Sequence, residues 1–388
     1  HEDLIAEVRE AVDFLRYYAA ESRDGFFNMT HVPLGPVACI SPWNFPLAIL
    51  TGMVAGSYVT GNTVVMKPAE QTPIIAYFLM KAFTEAGAPA GAVNLIQGYG
   101  EEVGEYLTSH KSTALISFTG SKAVGLHIMT KVGQILPGQK SVKRVICEMG
   151  GKNAIIIDND ADLDEAVGGV LYSAFGFQGQ KCSAASRVIV LEDVYPRFVE
   201  RLVEAAKSIK VAQSEDPTAY MGPVIDGEAQ ARIMKTIDAA KNEAQLAFQG
   251  SVPTNGYFVP PTIFKDCKPN SRIAQDEIFG PVLAVIKAKN IDDAIEIANG
   301  TEYALTGGLF SRSPANIEKI KAQFDVGNLY VNRGITGAMV ERHPFGGFKM
   351  SGLGSKTGGP DYLIQFMDPK VVTENTLRRG FAPQEHEA

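Results

Sequence analysis

The chain has 388 residues, more than one simple core holds, so two or more domains are expected. Its composition, 45% hydrophobic and 20% charged with a mean hydropathy of +0.00, is that of an ordinary globular protein. A net charge of -7 and a sequence pI near 5.5 exclude the basic face that nucleic-acid binding requires, and no nucleic-acid partner is expected.

Glu2 to Ala20 reads as an amphipathic helix, with Leu4, Ile5, Val8, Val12, Leu15 and Tyr18 as its apolar stripe. Phe26 to Ile40 reads as extended chain. No Asp, Glu, Lys or Arg occurs between Asp24 and Lys67, yet Pro33, Pro36, Pro42 and Pro46 break any continuous apolar helix. The run is therefore read as buried parallel-sheet structure rather than a membrane span. Leu47 to Val59 and Pro73 to Ala86 read as helices. Thr63 to Met66, Val93 to Gln97, Ala114 to Phe118 and Arg144 to Glu148 read as strands, and another helix starts near Ser121. This alternation means βαβ units. A second α/β pattern follows from Ala154 to Val331. It has strands at Ala154 to Ile157, Arg187 to Leu191 and Val282 to Ile286, and helices at Tyr195 to Lys207 and Asp226 to Glu243. The polar residues from Pro383 to Ala388 are expected to fray.

Cys39, Cys147, Cys182 and Cys267 stand far apart and form no CxxC pair. Neither a zinc site nor a disulfide framework is indicated, and no metal is expected. Reduced thiols in a cytoplasm-like compartment fit this usage, which in a eukaryote includes the mitochondrial matrix. Because the chain opens on His1, a longer native N-terminus is expected.

A lone cysteine is usually a small buried hydrophobe. Cys182 differs in following a polar, glycine-rich stretch and in neighbouring Lys181, whose charge would favour a thiolate. Glu148 closes a strand and precedes Gly150 and Gly151, a place where substrate or cofactor can approach closely, although most single glutamates are surface partners. Pro42-Trp43-Asn44-Phe45-Pro46 offers the Asn44 amide as an oxyanion donor; the plainer reading is a proline turn with aromatics in the core. Phe118-Thr119-Gly120-Ser121 joins a strand to a helix whose N-terminus suits a phosphate, but the GxGxxG fingerprint is absent. Lys67 and Glu70 flank a strand end where a carboxylate can accept ribose hydroxyls.

These motifs, with Glu-Met-Gly-Gly-Lys at 148–152, Gly-Gln-Lys-Cys at 179–182, Glu-Ile-Phe-Gly-Pro at 277–281 and Pro-Phe-Gly-Gly-Phe at 344–348, occur together and in order. Through them the sequence resembles the aldehyde dehydrogenase superfamily over nearly its whole length. Met149 stands where that family usually has Leu, a volume-conserving change. The resemblance implies an α/β fold with three parts. They are a Rossmann-like cofactor domain at 1–25 and 38–149, an α/β catalytic domain at 150–345, and a small strand flap for oligomerisation at 26–37 and 366–375. Residues 346–365 return to the cofactor domain. Further helices of that domain would precede residue 1.

The same resemblance implies NAD-dependent oxidation of an aldehyde to an acid. Cys182 would be the nucleophile, Glu148 the general base, and Asn44 with the Cys182 backbone N–H the oxyanion hole. Lys67 and Glu70 would contact the adenosine ribose, Ser121 the pyrophosphate, Glu277 the nicotinamide ribose and Phe279 the nicotinamide. Ile40, Trp43, Gly100, Gly104, Gly120, Val124 and Met149 would complete the NAD contacts.

Lys181-Cys182-Ser183-Ala184, Ser186-Arg187, Thr336-Gly337-Ala338 and the tail from Lys356 to Tyr362 resemble the branch acting on L-glutamate γ-semialdehyde, the second step of proline catabolism. Lys181, Ser183, Gly337, Ala338, Phe45 and Phe345 would then bind substrate. Partners implied are the aldehyde, further copies of the chain as a dimer or higher homo-oligomer, and a proline dehydrogenase linked covalently or functionally. Two rivals remain in view. A coenzyme A-dependent acylating enzyme usually lacks the general-base Glu, and a non-catalytic scaffold would have lost Cys182, Glu148 or Asn44 first. A non-acylating enzyme of another aldehyde specificity is the nearer alternative.

Overall fold

The structure is a computed structural model that describes residues 2–24 and 31–376. Two sheets carry the chain. The first has six strands in the spatial order Gly352–Leu353, Arg144–Glu148, Leu115–Thr119, Pro36–Ile40, Thr63–Lys67, Val93–Leu95. All neighbours are parallel except Gly352–Leu353, where Gly352 pairs with Glu148. Chain order runs outward both ways from Pro36–Ile40, so a crevice opens beyond the carboxyl ends of the central strands.

The uncharged run between Asp24 and Lys67 finds its explanation here. Pro36–Ile40 is the sheet's interior strand, and the helix Ala48–Val59 is buried along most of its length beneath the first helix, Glu2–Asp24. A helix covered on all sides has no use for a polar face. Among the described residues no helix is long and apolar enough to cross a membrane.

The second sheet has seven strands in the order Asn328–Val331, Thr306–Phe310, Asn153–Ile157, Ala185–Leu191, Val282–Ala288, Thr262–Lys265, Gln245–Gln249. Only Gln245–Gln249 runs antiparallel. Ile155, Ile156, Val188, Ile189, Leu283 and Val285 fill both faces.

Three expectations need correction. The apolar stripe expected on the first helix faces outward: Leu4, Ile5 and Val8 are more than half exposed. Its buried face is Ala11 and Phe14, together with Tyr18, the one member of the expected stripe that is buried. Tyr18 stacks on Tyr362 at 5.2 Å and accepts from the Gly358 N–H at 2.8 Å, so the C-terminal tail fixes how the helix turns. Second, the extended stretch is interrupted. His31–Pro33 pairs antiparallel with Met367–Pro369, whereas Pro36 and Val37 open the central strand of the six-stranded sheet and do not join that pair. Residues 26–30 lie outside the described residues, as does the tail from Pro383, and 370–375 form no strand. Third, the helices and strands between Leu163 and Val331 are more numerous than the hydrophobic pattern shows.

Arg187 is the largest fully buried side chain. Its guanidinium donates to the carbonyls of Lys152, Ile297 and Ala298, each at 2.9 Å. The last two belong to the final turn of the helix Ile291–Asn299, where a cation meets the negative end of the helix dipole. The first belongs to the loop that follows Glu148. Arg187→Lys keeps the charge but loses the fork, leaving buried carbonyls unpaired. It should cost about 3 kcal/mol in urea or thermal unfolding. An unchanged transition would show that those carbonyls find other donors.

Candidate active site

Cys182 follows the helix Leu163–Phe175 through a turn that proteins rarely build. Phe177, Gln178 and Gly179 have φ of 53, 57 and 64°, three left-handed residues in succession. The non-glycine pair costs about 1 kcal/mol or more each. Two contacts hold the turn. Phe177 stacks on Phe45 at 5.6 Å, and Gly179 packs so closely on the next loop that a Cβ would lie 2.5 Å from the Gly280 carbonyl.

The backbone around Cys182 is then fixed from both sheets. Asn44 donates to the Gln180 carbonyl at 2.9 Å. Asn153, on an interior strand of the second sheet, donates to the carbonyls of Cys182 at 2.7 Å and Ala184 at 2.8 Å. The Thr306 hydroxyl donates to the Ser183 carbonyl at 3.1 Å. Asn44 has two amide hydrogens, and the bond to Gln180 uses one and fixes the plane of the other. The Gln180 side chain also accepts from the Ile225 N–H, a tie the motif reading missed.

Glu148 and Cys182 line one cavity of about 960 Å³. Glu148 Oε2 is buried without a hydrogen-bond partner among the described residues. Burial pushes its carboxyl up to about 8, against the pull of the Lys356 ammonium. Burial, then Glu277 and Glu148, push the Cys182 thiol up to about 12, while backbone N–H groups at Ser183 and Cys182 act the other way. Lys181 does not supply the thiolate-favouring charge expected of it. Its ammonium pairs with Asp3 at 3.1 Å and lies over the Phe45 and Phe177 rings. Cys39, Cys147 and Cys267 are buried and do not reach the cavity. What approaches Gly150 and Gly151 is protein: a Cβ on Gly150 would fall into the Glu277 carboxylate, and one on Gly151 would lie 2.8 Å from the Cys182 carbonyl.

Lys181, Ser183, Gly337, Ala338, Phe45 and Phe345 also border this cavity. Gly337 has φ of 79°, and a Cβ there would meet nothing within 4 Å. Another part of the lining went unnoticed in the sequence: Asp3, Glu7, Glu10 and Asp13 of the first helix. Their spacing of three or four residues puts them on one face and was the available signal. Glu7 Oε1 accepts from the N–H groups of Leu47 and Ala48, at the start of the helix Ala48–Val59. Burial pushes Glu10 up to about 7, helped by Glu7 and Asp13.

The other predicted residues gather along the carboxyl edge of the six-stranded sheet, where Met149 also borders the cavity. Ile40, Lys67 and Glu70, Gly100 and Gly104, Gly120 and Ser121, and Met149 each lie at or just after the end of a strand of that sheet. Ser121 caps the helix Lys122–Val132 by accepting from the N–H of Val124, itself exposed. Lys67 is buried and pairs with the partly exposed Glu70 at 3.4 Å. Trp43 meets Phe279 edge to face at 5.5 Å, and Glu277 accepts from the Gly151 N–H at 3.0 Å, so the second sheet's loop closes over this edge. Free helix N–H groups, a ribose-sized carboxylate and an aromatic closing face suit a dinucleotide. Among the described residues no His, Cys, Asp or Glu cluster could hold a metal.

The sequence matches the aldehyde dehydrogenase family over residues 2–372. The chain belongs to that family. It is 51% identical to the 1-pyrroline-5-carboxylate dehydrogenase of Geobacillus sp. (strain WCH70), over 95% of this chain and 74% of that protein. The protein of that name from Bacillus subtilis (strain 168) is 48% identical over the same shares. Among solved structures, proline utilization A from Bdellovibrio bacteriovorus superposes with a TM-score of 0.94 at 64% identity. It matches 98% of this chain, which spans 41% of that longer one. The 1-pyrroline-5-carboxylate dehydrogenase from Thermus with bound NAD gives 0.91 at 46% identity, over 94% of this chain and 73% of that one.

The thiol's environment makes a direct prediction. Alkylation of Cys182 by iodoacetamide, followed by mass spectrometry on the protein without ligands, should be slow at pH 7. It should climb about tenfold per pH unit up to about pH 10. A plateau below pH 8 would show that a thiolate is already present at rest.

Proposed function

We propose that this chain oxidises L-glutamate γ-semialdehyde to L-glutamate with NAD, through a thioester on Cys182. The observation that carries the reading is the shared cavity of Cys182 and Glu148, lined also by the Gly337-Ala338 loop and the acidic face of the first helix. Names of the relatives point the same way.

The chain's residues would work as follows. The Cys182 thiol gives its proton to water as Sγ bonds to the aldehyde carbon, and loss of the hydride to the cofactor then leaves a thioester on Cys182. The developing oxyanion is met by the second amide hydrogen of Asn44 and the Cys182 N–H, donors placed before the charge forms. NAD bound along the sheet edge supplies the hydride acceptor. Glu148 then takes a proton from water as the oxygen attacks the thioester carbon; the C–S bond breaks, and glutamate leaves.

Beyond the reacting carbon, backbone N–H groups at Gly337 and Ala338 suit the substrate's α-carboxylate. Glu10, in the cavity lining, suits its α-ammonium. Phe45 and Phe345 flank the methylenes, and Ser183 adds a hydroxyl. Glu70 favours the free ribose hydroxyl of NAD over the phosphate of NADP. We also take the division into cofactor domain, catalytic domain and strand flap to hold, with the pair His31–Pro33 and Met367–Pro369 serving a homo-oligomer. A link to a proline dehydrogenase and a reducing, cytoplasm-like compartment belong to the same reading.

Glu148→Gln should leave a rapid first release of NADH and slow every later turnover at least about a hundredfold. Loss of the burst itself would place Glu148 elsewhere in the reaction. For the substrate, Gly337→Val and Glu10→Ala should each raise KM for glutamate semialdehyde about tenfold or more, and change kcat/KM for propanal much less. Equal losses with both aldehydes would mean that these walls only support the fold.

A further inference from the structure

Lys356 sits beside Glu148 without forming an ion pair with it. Its ammonium is gripped by three neutral acceptors: the carbonyls of Gly327 and Gly346, the latter at 3.0 Å, and Asn328 Oδ1 at 3.2 Å. The carboxylate and the lysine stem flank the same glycine. A Cβ on Gly346 would lie 3.0 Å from Glu148 Oε1 and 3.3 Å from Lys356 Cγ. No anion on its own side cancels this charge, and three acceptors keep it from swinging away. The other titratable groups that face Glu148 are Cys147 on its own strand, Cys182 in the same cavity and Tyr362 from the tail, each of which the Glu148 carboxylate pushes up. All are weak acids, neutral when protonated, so Lys356 is the cation bearing on Glu148.

We propose that Lys356 is a positioning residue that acts through Glu148, its pinned ammonium setting the pH above which that carboxylate accepts a proton. This rests on Glu148 being the general base. A nearby positive charge stabilises the carboxylate and lets it ionise at lower pH; without it, ionisation is deferred to higher pH. The burial that pushes Glu148 up is thereby held to a range where the base form exists near neutrality.

The test is the pH profile of kcat for a short neutral aldehyde at saturating NAD, read from the full chain. Lys356→Met should move the acid limb upward by about one pH unit, so that kcat falls about tenfold at pH 7 and converges with the parent at about pH 10. Lys356→Arg should restore the limb. Should Lys356→Met fail to fold, Asn328→Asp carries the test: it keeps the lysine, sets a carboxylate against it, and should move the limb the same way. A loss that is uniform across pH, with the limb unmoved in these variants, would overturn the proposal. In Glu148→Gln the residual turnover should lack the limb. A limb that survives there would remove Glu148 as the base, a failure distinct from that of Lys356 and fatal to both.

Discussion

The structure depends on one constraint: the backbone from Gln180 to Ala184, with Cys182 at its middle, is held at the seam between two sheets by side-chain amides, Asn44 on the Gln180 carbonyl and Asn153 on those of Cys182 and Ala184. Asn44 comes from the loop after the central strand of the first sheet, and Asn153 from an interior strand of the second. Asn153 Oδ1 accepts in turn from the Thr306 N–H, on the neighbouring strand. A left-handed turn at 177–179, two loops in backbone contact at Gly179 and Gly280, and a glycine opposite the Cys182 carbonyl all follow from forcing a nucleophile into that seam. Strain of this kind persists only where surrounding contacts over-determine it.

The seam also sets the electrostatics. Carboxyls at Glu148 and Glu10 and the thiol of Cys182 are each pushed toward their protonated forms by burial, while burial drives Lys152 down to about 7. Its ammonium nitrogen has no hydrogen-bond partner among the described residues, and Arg187 opposes its charge. Burial therefore favours the neutral form of each group, protonated for the acids and deprotonated for Lys152. Glu148 and Glu10 both line the cavity and are both pushed up toward neutral pH by burial. The proposed reaction uses Glu148 for the proton of the attacking water and leaves Glu10 to the substrate's far end.

The sequence marked the stretches that build the cavity, and their proposed roles came from the family resemblance rather than from any one motif. Pro42 to Pro46, the glycines after Glu148 and the Gly-Gln-Lys-Cys run each mark a turn that backbone rules alone single out. What stayed hidden depends on tertiary context. Thr306–Phe310 is a buried interior strand, yet Gly307 and Gly308 give it no β pattern; they are glycine because Phe324 and Ile335 occupy the space of a side chain. On the first helix, the charged face turns inward to the cavity, so the apolar stripe marked the wrong side. Lys181 is adjacent to Cys182 in sequence, but adjacent residues point apart, and Asp3 holds its charge.

The central claim is that backbone anchoring across the seam, more than the thiol's own acidity, makes Cys182 a nucleophile. Asn153 touches neither the cavity nor the sheet edge assigned to NAD, so its side chain isolates that effect. The measurement is the single-turnover rate of NADH formation by Asn153→Ala, alongside the Kd for NAD from fluorescence titration. The expected result is a rate lower by about tenfold or more with Kd unchanged, because a misplaced attacking atom loses much of its proximity advantage. A parent-like rate in a folded Asn153→Ala protein would contradict the claim.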